Sequence, residues 1–215
     1  MESMLMTSKK AKSIYAIDID TANLPLGSSA LVDNAGNQWA LVKGSTSPRI
    51  VSDATMGNVM EFSYNGYFGA PIPAALDLAG RSWTLEAVFR AATVSNVMTV
   101  FSTGDYNANG RVLGILLYLN QFASQYIQAF VDNGTYVRLY PIISNNSSWE
   151  RVVITRVKGS SLKMDVYRNN VLAATVTIPD NAPGPGGPYM NIGGSVIGGT
   201  NQLGGWFKSL RVLMQ

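Results

Sequence analysis

Histidine and cysteine are both absent from the 215 residues, and each absence removes a class of chemistry. Without an imidazole there is no Ser-His-Asp triad and no histidine-bound metal. Without a thiol there is no cysteine nucleophile, thiolate zinc cluster or disulfide, and no redox clue to compartment. Charge is scarce as well. Only 13% of residues are charged, about half the ~25% usual for globular domains, so the surface must draw on Asn, Ser, Thr and Gly. No run approaches the ~18 apolar residues of a membrane span. The longest apolar stretch, VLGILLYL at 112–119, has the length of a strand and carries a glycine. The opening MESMLMTSKKAKS places its short apolar stretch before its lysines and has no long hydrophobic run, so it does not read as a secretory signal.

The net charge of +3 is concentrated at the start, where Lys9, Lys10 and Lys12 face a single acid, Glu2. The rest of the chain carries 13 basic and 12 acidic residues. A near-neutral body cannot track a phosphate backbone, so a nucleic-acid partner is not expected.

What is present is period-two alternation. In SWTLEAVFR, Trp83, Leu85, Ala87 and Phe89 share one face, and Thr84, Glu86 and Arg90 share the other. In SLKMDVYRNNVLAATVTIP, Leu162, Met164 and Val166 alternate with Lys163, Asp165 and Tyr167, and Leu172, Ala174, Val176 and Ile178 follow. Asn169 and Asn170 tolerate positive φ, which predicts a two-residue hairpin turn between these strands. Further strands are predicted at 14–18, 39–43, 59–64, 97–102, 112–119, 125–132, 136–141, 151–157, 189–192 and 206–214, separated by Gly, Asn, Ser and Pro clusters. Residues 74–78 could form a short helical turn. About a dozen short strands with no interior linker predict an all-β fold, a single antiparallel β-sandwich or jelly roll over residues 13–215. Residues 1–12 stand outside that pattern.

Five segments occur in an order that resembles the concanavalin A-like lectin/glucanase superfamily, in the laminin-G-like form found in tailed-phage virion proteins. They are DNAGNQW (33–39), MEFSYNGYFGAPIPAALDL (60–78), SWTLEAVFR, SWERVVITRVKGSSLKMDVYRNNVLAATV, and YMNIGGS followed by GGWFKSLRVL. The resemblance implies two curved antiparallel sheets packed face to face, with the first and last strands close together. It places Trp83, Phe89, Phe101, Trp149 and Trp206 between the sheets as core rings, and it gives Gly193, Gly194, Gly204 and Gly205 to a tight turn before the last strand.

Candidate sites follow from residue chemistry. Glycoside hydrolysis needs two carboxyl groups flanking the scissile bond. Glu86 has no second acid at i+2 or i+4, and Asp18 and Asp20 lie on one side of an extended segment with no third acid near them, so no catalytic residue is assigned. Glu86 is expected to point outward and pair with an arginine. The loop Asp105–Gly110 matches the first half of a calcium loop, but Leu116 stands where the bidentate Glu would be. No metal and no cofactor is therefore expected, and EDTA should leave the melting temperature unchanged, whereas a fall of many degrees restored by calcium would overturn that reading. Tyr106 with Asn107 and Asn109, and Tyr136 with Asn133, combine an aromatic face with amides as sugar recognition requires. Asn133, Asn145 and Asn146 also sit in N-x-S/T sequons, which have little meaning without a secretory signal.

Residues 1–12 are read as an attachment arm, in which Met4, Leu5 and Met6 supply adaptable apolar contact and Lys9, Lys10 and Lys12 supply charge for an acidic neighbour. The functional expectation is a non-enzymatic structural protein of a phage virion, a capsid decoration or a tail or fibre-associated subunit. It would be made in the host cytoplasm, contact other virion subunits as a homo-oligomer, and bind a host-surface glycan without membrane insertion. The alternative is a carbohydrate-binding adhesion module of bacterial or viral origin.

Overall fold

The computed structural model describes residues 13–43, 47–63, 66–92, 98–104, 114–120, 126–132, 136–143, 148–181, 183–184, 186–194 and 202–215. At 43, 120, 126, 130–132 and 136–143 it describes the backbone alone.

Two antiparallel sheets form a sandwich. The first runs in the order β13 (Val171–Pro179), β12 (Ser161–Arg168), β11 (Glu150–Val157), β6 (Trp83–Ala91), β15 (Gly204–Met214), β4 (Gly57–Ser63) and β3 (Arg49–Asp53), with β1 (Ile14–Asp20) added to β15. The second runs β10 (Tyr136–Ile143), β9 (Tyr126–Asp132), β8 (Gly114–Asn120), β7 (Met98–Ser102), β14 (Tyr189–Ile192), β5 (Tyr67–Pro71) and β2 (Ala40–Lys43). The strand alternation read from the sequence holds, and Asn169 and Asn170 take φ of 49° and 67° in the β12–β13 turn.

β15 organises the first sheet. Along one side it pairs with β6, while along the other it pairs first with β4 through Phe207 and then with β1 from Ser209 onward. The change of partner falls at a bulge that leaves Lys208 unpaired in the β6 register, and a bulge is a place where a strand bends and pairing can end. Thr21, in a single 3-10 turn (Thr21–Asn23), closes the junction: its hydroxyl lies 2.7 Å from the Asn58 carbonyl and 3.1 Å from that of Lys208. Gly205 begins the strand at φ +149°, and a Cβ there would sit 2.2 Å from the Arg90 carbonyl. The first and last strands are thus neighbours, as the resemblance implied.

The core lies between the sheets. Trp83, Phe89 and Phe101 are fully buried in it. Phe62 on β4 meets Phe68 on β5 and Phe207 on β15 edge to face, with centroids 6.2 and 6.4 Å apart, so one ring joins both sheets.

Trp149 and Trp206 depart from the expected placement. Trp206 is paired in register with Arg90 and Glu61, on the outward face, and Phe207 takes the inward position. Trp149 is buried, but in a satellite cluster with Val59 and Val88 against which the half-buried Trp206 packs. Strand parity decides this: a residue one position from an inward ring must face out. Residues 74–78 form hydrogen-bonded turns rather than a helix, with the Leu76 N–H donating to the Pro73 carbonyl at 2.9 Å. β3 and β5 were missing from the sequence reading, because a glycine and a proline interrupt YFGAP and RIVSD follows a Ser-Pro breaker.

Candidate functional site

The outward face of the second sheet has a closed part and an open part. Thr99, Ser102, Leu116, Tyr118 and Gln128 face away from the core, yet none is more than 4% exposed. The polar members bond among themselves: the Tyr118 hydroxyl donates to the Gln128 amide oxygen, and the Asn191 amide reaches the Ser102 hydroxyl at 3.4 Å. Among the described residues, the outward side chains of β7–β9 leave a ligand no entry.

The face opens at β14, β5 and β2. Ala40, Gly69 and Asn191 stand side by side in register, and two of the three have almost no side chain, so the sheet is locally low. A Cβ on Gly69 would lie 2.8 Å from Val42 Cγ2 and 3.3 Å from Asn191 Oδ1, so the hollow depends on glycine. Tyr189, Gln38, Val42 and Pro71 rise around it, and the groove encloses about 360 Å³. Tyr189 is 50% exposed. Its position is fixed from behind, because the Gly187 N–H donates to the Thr103 carbonyl at 2.8 Å and the Ile72 N–H to the Pro188 carbonyl at 3.2 Å. The result is an open aromatic ring beside the exposed Gln38 amide, on a small-residue floor in which Asn191 is itself buried. A pyranose or furanose ring can lay its C–H face on such a ring while the Gln38 amide meets its hydroxyls.

None of the site residues expected from the sequence can be placed in this groove. Tyr106, Asn107, Asn109 and Asn133 lie outside the described residues, as does the Asp105 loop. The arm residues Met4, Leu5, Met6, Lys9, Lys10 and Lys12 lie outside them too. Tyr136 begins β10, with only its backbone described. Gly114 pairs with Asp132, and Asp132 with Tyr136. Ser102 pairs with Asn191, two residues from Tyr189. Ser102, Gly114, Asp132 and Tyr136 therefore lie at the end of the sheet where Tyr189 stands. Tyr189 itself was passed over because nothing in the short strand YMNI marks one residue as exposed.

The acidic residues weighed for catalysis are committed elsewhere, on the outward face of the first sheet. Glu86 accepts from Arg151 Nη1 at 3.2 Å, and Asp18 and Asp20 both accept from Arg211, at 3.1 and 3.2 Å. Among the described residues no group of three or more acids could hold a metal ion.

No protein-family model and no curated protein sequence matches the chain. Solved structures do. The likeness is one of fold. The binding domain of botulinum neurotoxin serotype D superposes with a TM-score of 0.62 at 14% identity over 92% of this chain. Domain 4 of AbnA, an extracellular arabinanase of Geobacillus stearothermophilus solved with arabinotriose, gives 0.60 at 11% identity over 94% of this chain. The binding domain of botulinum neurotoxin DC, solved with SialylT, gives 0.57 at 12% identity. This chain spans 47% of each toxin chain and 93% of the arabinanase domain. These matches agree with the jelly-roll sandwich expected from the sequence.

Proposed function

We propose that the protein is a carbohydrate-binding module that holds a saccharide in the groove between β2, β5 and β14. The observation that carries this reading is the half-exposed Tyr189 ring beside the exposed Gln38 amide, over a floor of Gly69 and the buried Asn191. Support comes from the end-to-end likeness to a domain solved with an oligosaccharide. The proposed module binds without catalysis; among the described residues no carboxylate lines the groove, and Glu86, Asp18 and Asp20 are held by arginines on the other sheet. The virion role expected from the sequence resemblance draws nothing from these observations, and the binding module is the better reading. A place on a particle, with other subunits as partners, is compatible with it as a separate proposal, tested by whether protein lacking residues 1–12 still incorporates.

A glycan array followed by calorimetry tests the groove. Tyr189→Ala is expected to weaken binding at least tenfold, about 1.4 kcal/mol, and as a surface change to move stability by no more than about 0.5 kcal/mol. Gly69→Val should abolish binding by filling the floor. Unchanged affinity in both variants, or cleavage of the bound oligosaccharide, would overturn the reading.

A further inference from the structure

A second hollow lies on the opposite side of the sandwich, on the outward face of the first sheet. It encloses about 420 Å³, within the about 300–1,000 Å³ typical of small-molecule sites. Met56, Val88 and an edge of Trp149 supply its apolar surface, and Thr55, Asn169 and Asn170 supply neutral polar groups around it.

The hollow is rigidly built. The Arg90 guanidinium sits between two indoles, 4.2 Å from the centroid of Trp206 and 5.0 Å from that of Trp149. It pairs with Asp53 at 3.0 Å. Asp53 Oδ1 in turn accepts from the Thr55 and Met56 N–H groups at 2.8 and 2.9 Å, so one carboxylate fixes both the stacked arginine and the wall made by the β3–β4 turn. Burial works against its charge, but those N–H groups, Arg90 and the nearby Trp149 indole outweigh it and hold its pKa below the usual carboxylate value. The Trp149 indole N–H faces this carboxylate without reaching hydrogen-bond geometry. The opposite wall is tied down as well, since the Asn169 N–H donates to the Trp149 carbonyl at 3.1 Å.

The charges around the hollow are already matched. Arg90 is held by Asp53, Arg151 by Glu86 at 3.2 Å, and Glu150 by Arg168 at 2.9 Å. Arg151 also sits over the Tyr167 ring, its guanidinium carbon 3.9 Å from the centroid. An ionic ligand would have to break one of these pairs, so the hollow suits a neutral one. Its apolar part covers about three side chains, too few for an aliphatic or aromatic ligand and poorly matched to a plain hexose, which carries hydroxyls around its whole rim. An acetamido sugar fits better, because its methyl can cover Met56 and Val88 while its amide and hydroxyls meet Asn169, Asn170 and Thr55. Asn170 also keeps an amide at a positive φ that glycine would adopt with less strain.

We propose that this hollow is a second ligand site, for a neutral acetamido sugar, independent of the Tyr189 groove. The test is a nitrogen-15 NMR titration of the full chain with N,N′-diacetylchitobiose, with cellobiose as the probe lacking acetamido groups. Chitobiose, and not cellobiose, should shift the Trp149 indole and Asn170 amide signals. Asn170→Gly keeps the turn, and should weaken that titration at least tenfold with an unchanged or raised melting temperature, while Tyr189→Ala leaves it unaltered. Absence of a Trp149 shift at saturating sugar, equal shifts with cellobiose, or loss of binding in Tyr189→Ala but not in Asn170→Gly would each overturn the proposal. A silent array for the groove with a positive titration here would separate the two sites.

Discussion

Replacing Arg156 with methionine is expected to lower the unfolding free energy by about 3–5 kcal/mol, the range for breaking a buried ion pair from one side. Arg156 occupies an inward position of β11, opposite Trp83 on β6, and is 2% exposed. Its Nε and Nη2 donate to the two Asp180 oxygens at 2.7 and 2.9 Å. Its Nη1 donates to the carbonyls of Leu78, Ala79 and Arg81 at 2.8, 2.9 and 2.8 Å. The Trp83 indole N–H donates to the same Leu78 carbonyl at 3.1 Å. One side chain therefore satisfies three carbonyls of the turn that leads into β6 and neutralises the acid that follows β13. Methionine fills similar space and offers no donor, so the Ala79 and Arg81 carbonyls lose their arginine donor, the Leu78 carbonyl keeps only the Trp83 indole, and the buried Asp180 carboxylate keeps only the Gly159 N–H. Urea unfolding measures the loss. The double variant Arg156→Met/Asp180→Asn should recover part of it by removing the stranded charge, and a single-variant loss under about 1 kcal/mol would mean that water replaces the guanidinium.

The same pair gives the fold an acid-sensitive component. The hydrogen bonds from Arg156 lead in holding the Asp180 carboxyl below its ordinary value of 3.8, against burial, with help from the Gly159 N–H and the charges of Arg156 and Lys158. A lowered folded pKa means that the unfolded chain takes up the proton first. The stabilisation is complete above the unfolded value and drains away as pH falls through 3.8 towards the lower folded value. Asp53 acts in the same sense. The wild-type chain should lose stability across that window, and Arg156→Met should lose less, because its Asp180 has no arginine to lose.

Both positions show how far the sequence could be read. In ERVVITRV the alternation puts Arg156 on the side of Val152 and Ile154, so an arginine in an inward position was legible as a buried charge in need of an acid. Its partner was not, because Asp180 lies 24 residues away beyond a hairpin. The strands with clean alternation, such as β6, β11 and β12, stand where the pattern placed them. β3 and β5 carry strand formers in Ile50, Val51, Tyr67 and Phe68, but each is cut to a few residues by Gly, Pro or Ser-Pro breakers, so pairing with neighbours decides their state. The Tyr189 groove draws Ala40, Gly69 and Asn191 from three strands far apart in sequence, with Gln38 just ahead of the first. Only the register brings them together, and no local window contains that information.

Asp33 carries the second large expectation: Asp33→Ala should cost about 3 kcal/mol, more than a single hydrogen bond to a charged group is usually worth, and should also loosen the saccharide groove. Asp33 is 7% exposed and accepts only from N–H groups. Oδ1 takes the backbone N–H of Asp18 and of Ala35, each at 2.9 Å, and Oδ2 takes the Asn37 amide at 2.7 Å and the Trp39 indole at 3.0 Å. Asn37 continues to the Ala16 carbonyl at 2.8 Å, and the Asn34 N–H reaches the Asp18 carbonyl at 2.8 Å. The segment DNAGNQW is thus fastened along the edge of β1 that β15 leaves free, and so shields an open strand edge. It then delivers Gln38 and Ala40 to the groove. Asp33→Asn separates acceptor chemistry from size: whichever way the amide turns, its NH₂ faces two donors, so it should lose at least about 1.5 kcal/mol despite its near-identical shape. Chemical unfolding gives the stability change, and titration with a groove ligand gives the functional one. Wild-type stability in Asp33→Asn would show that the loop is held by shape, and wild-type affinity in Asp33→Ala would show that β2 takes its place without the carboxylate.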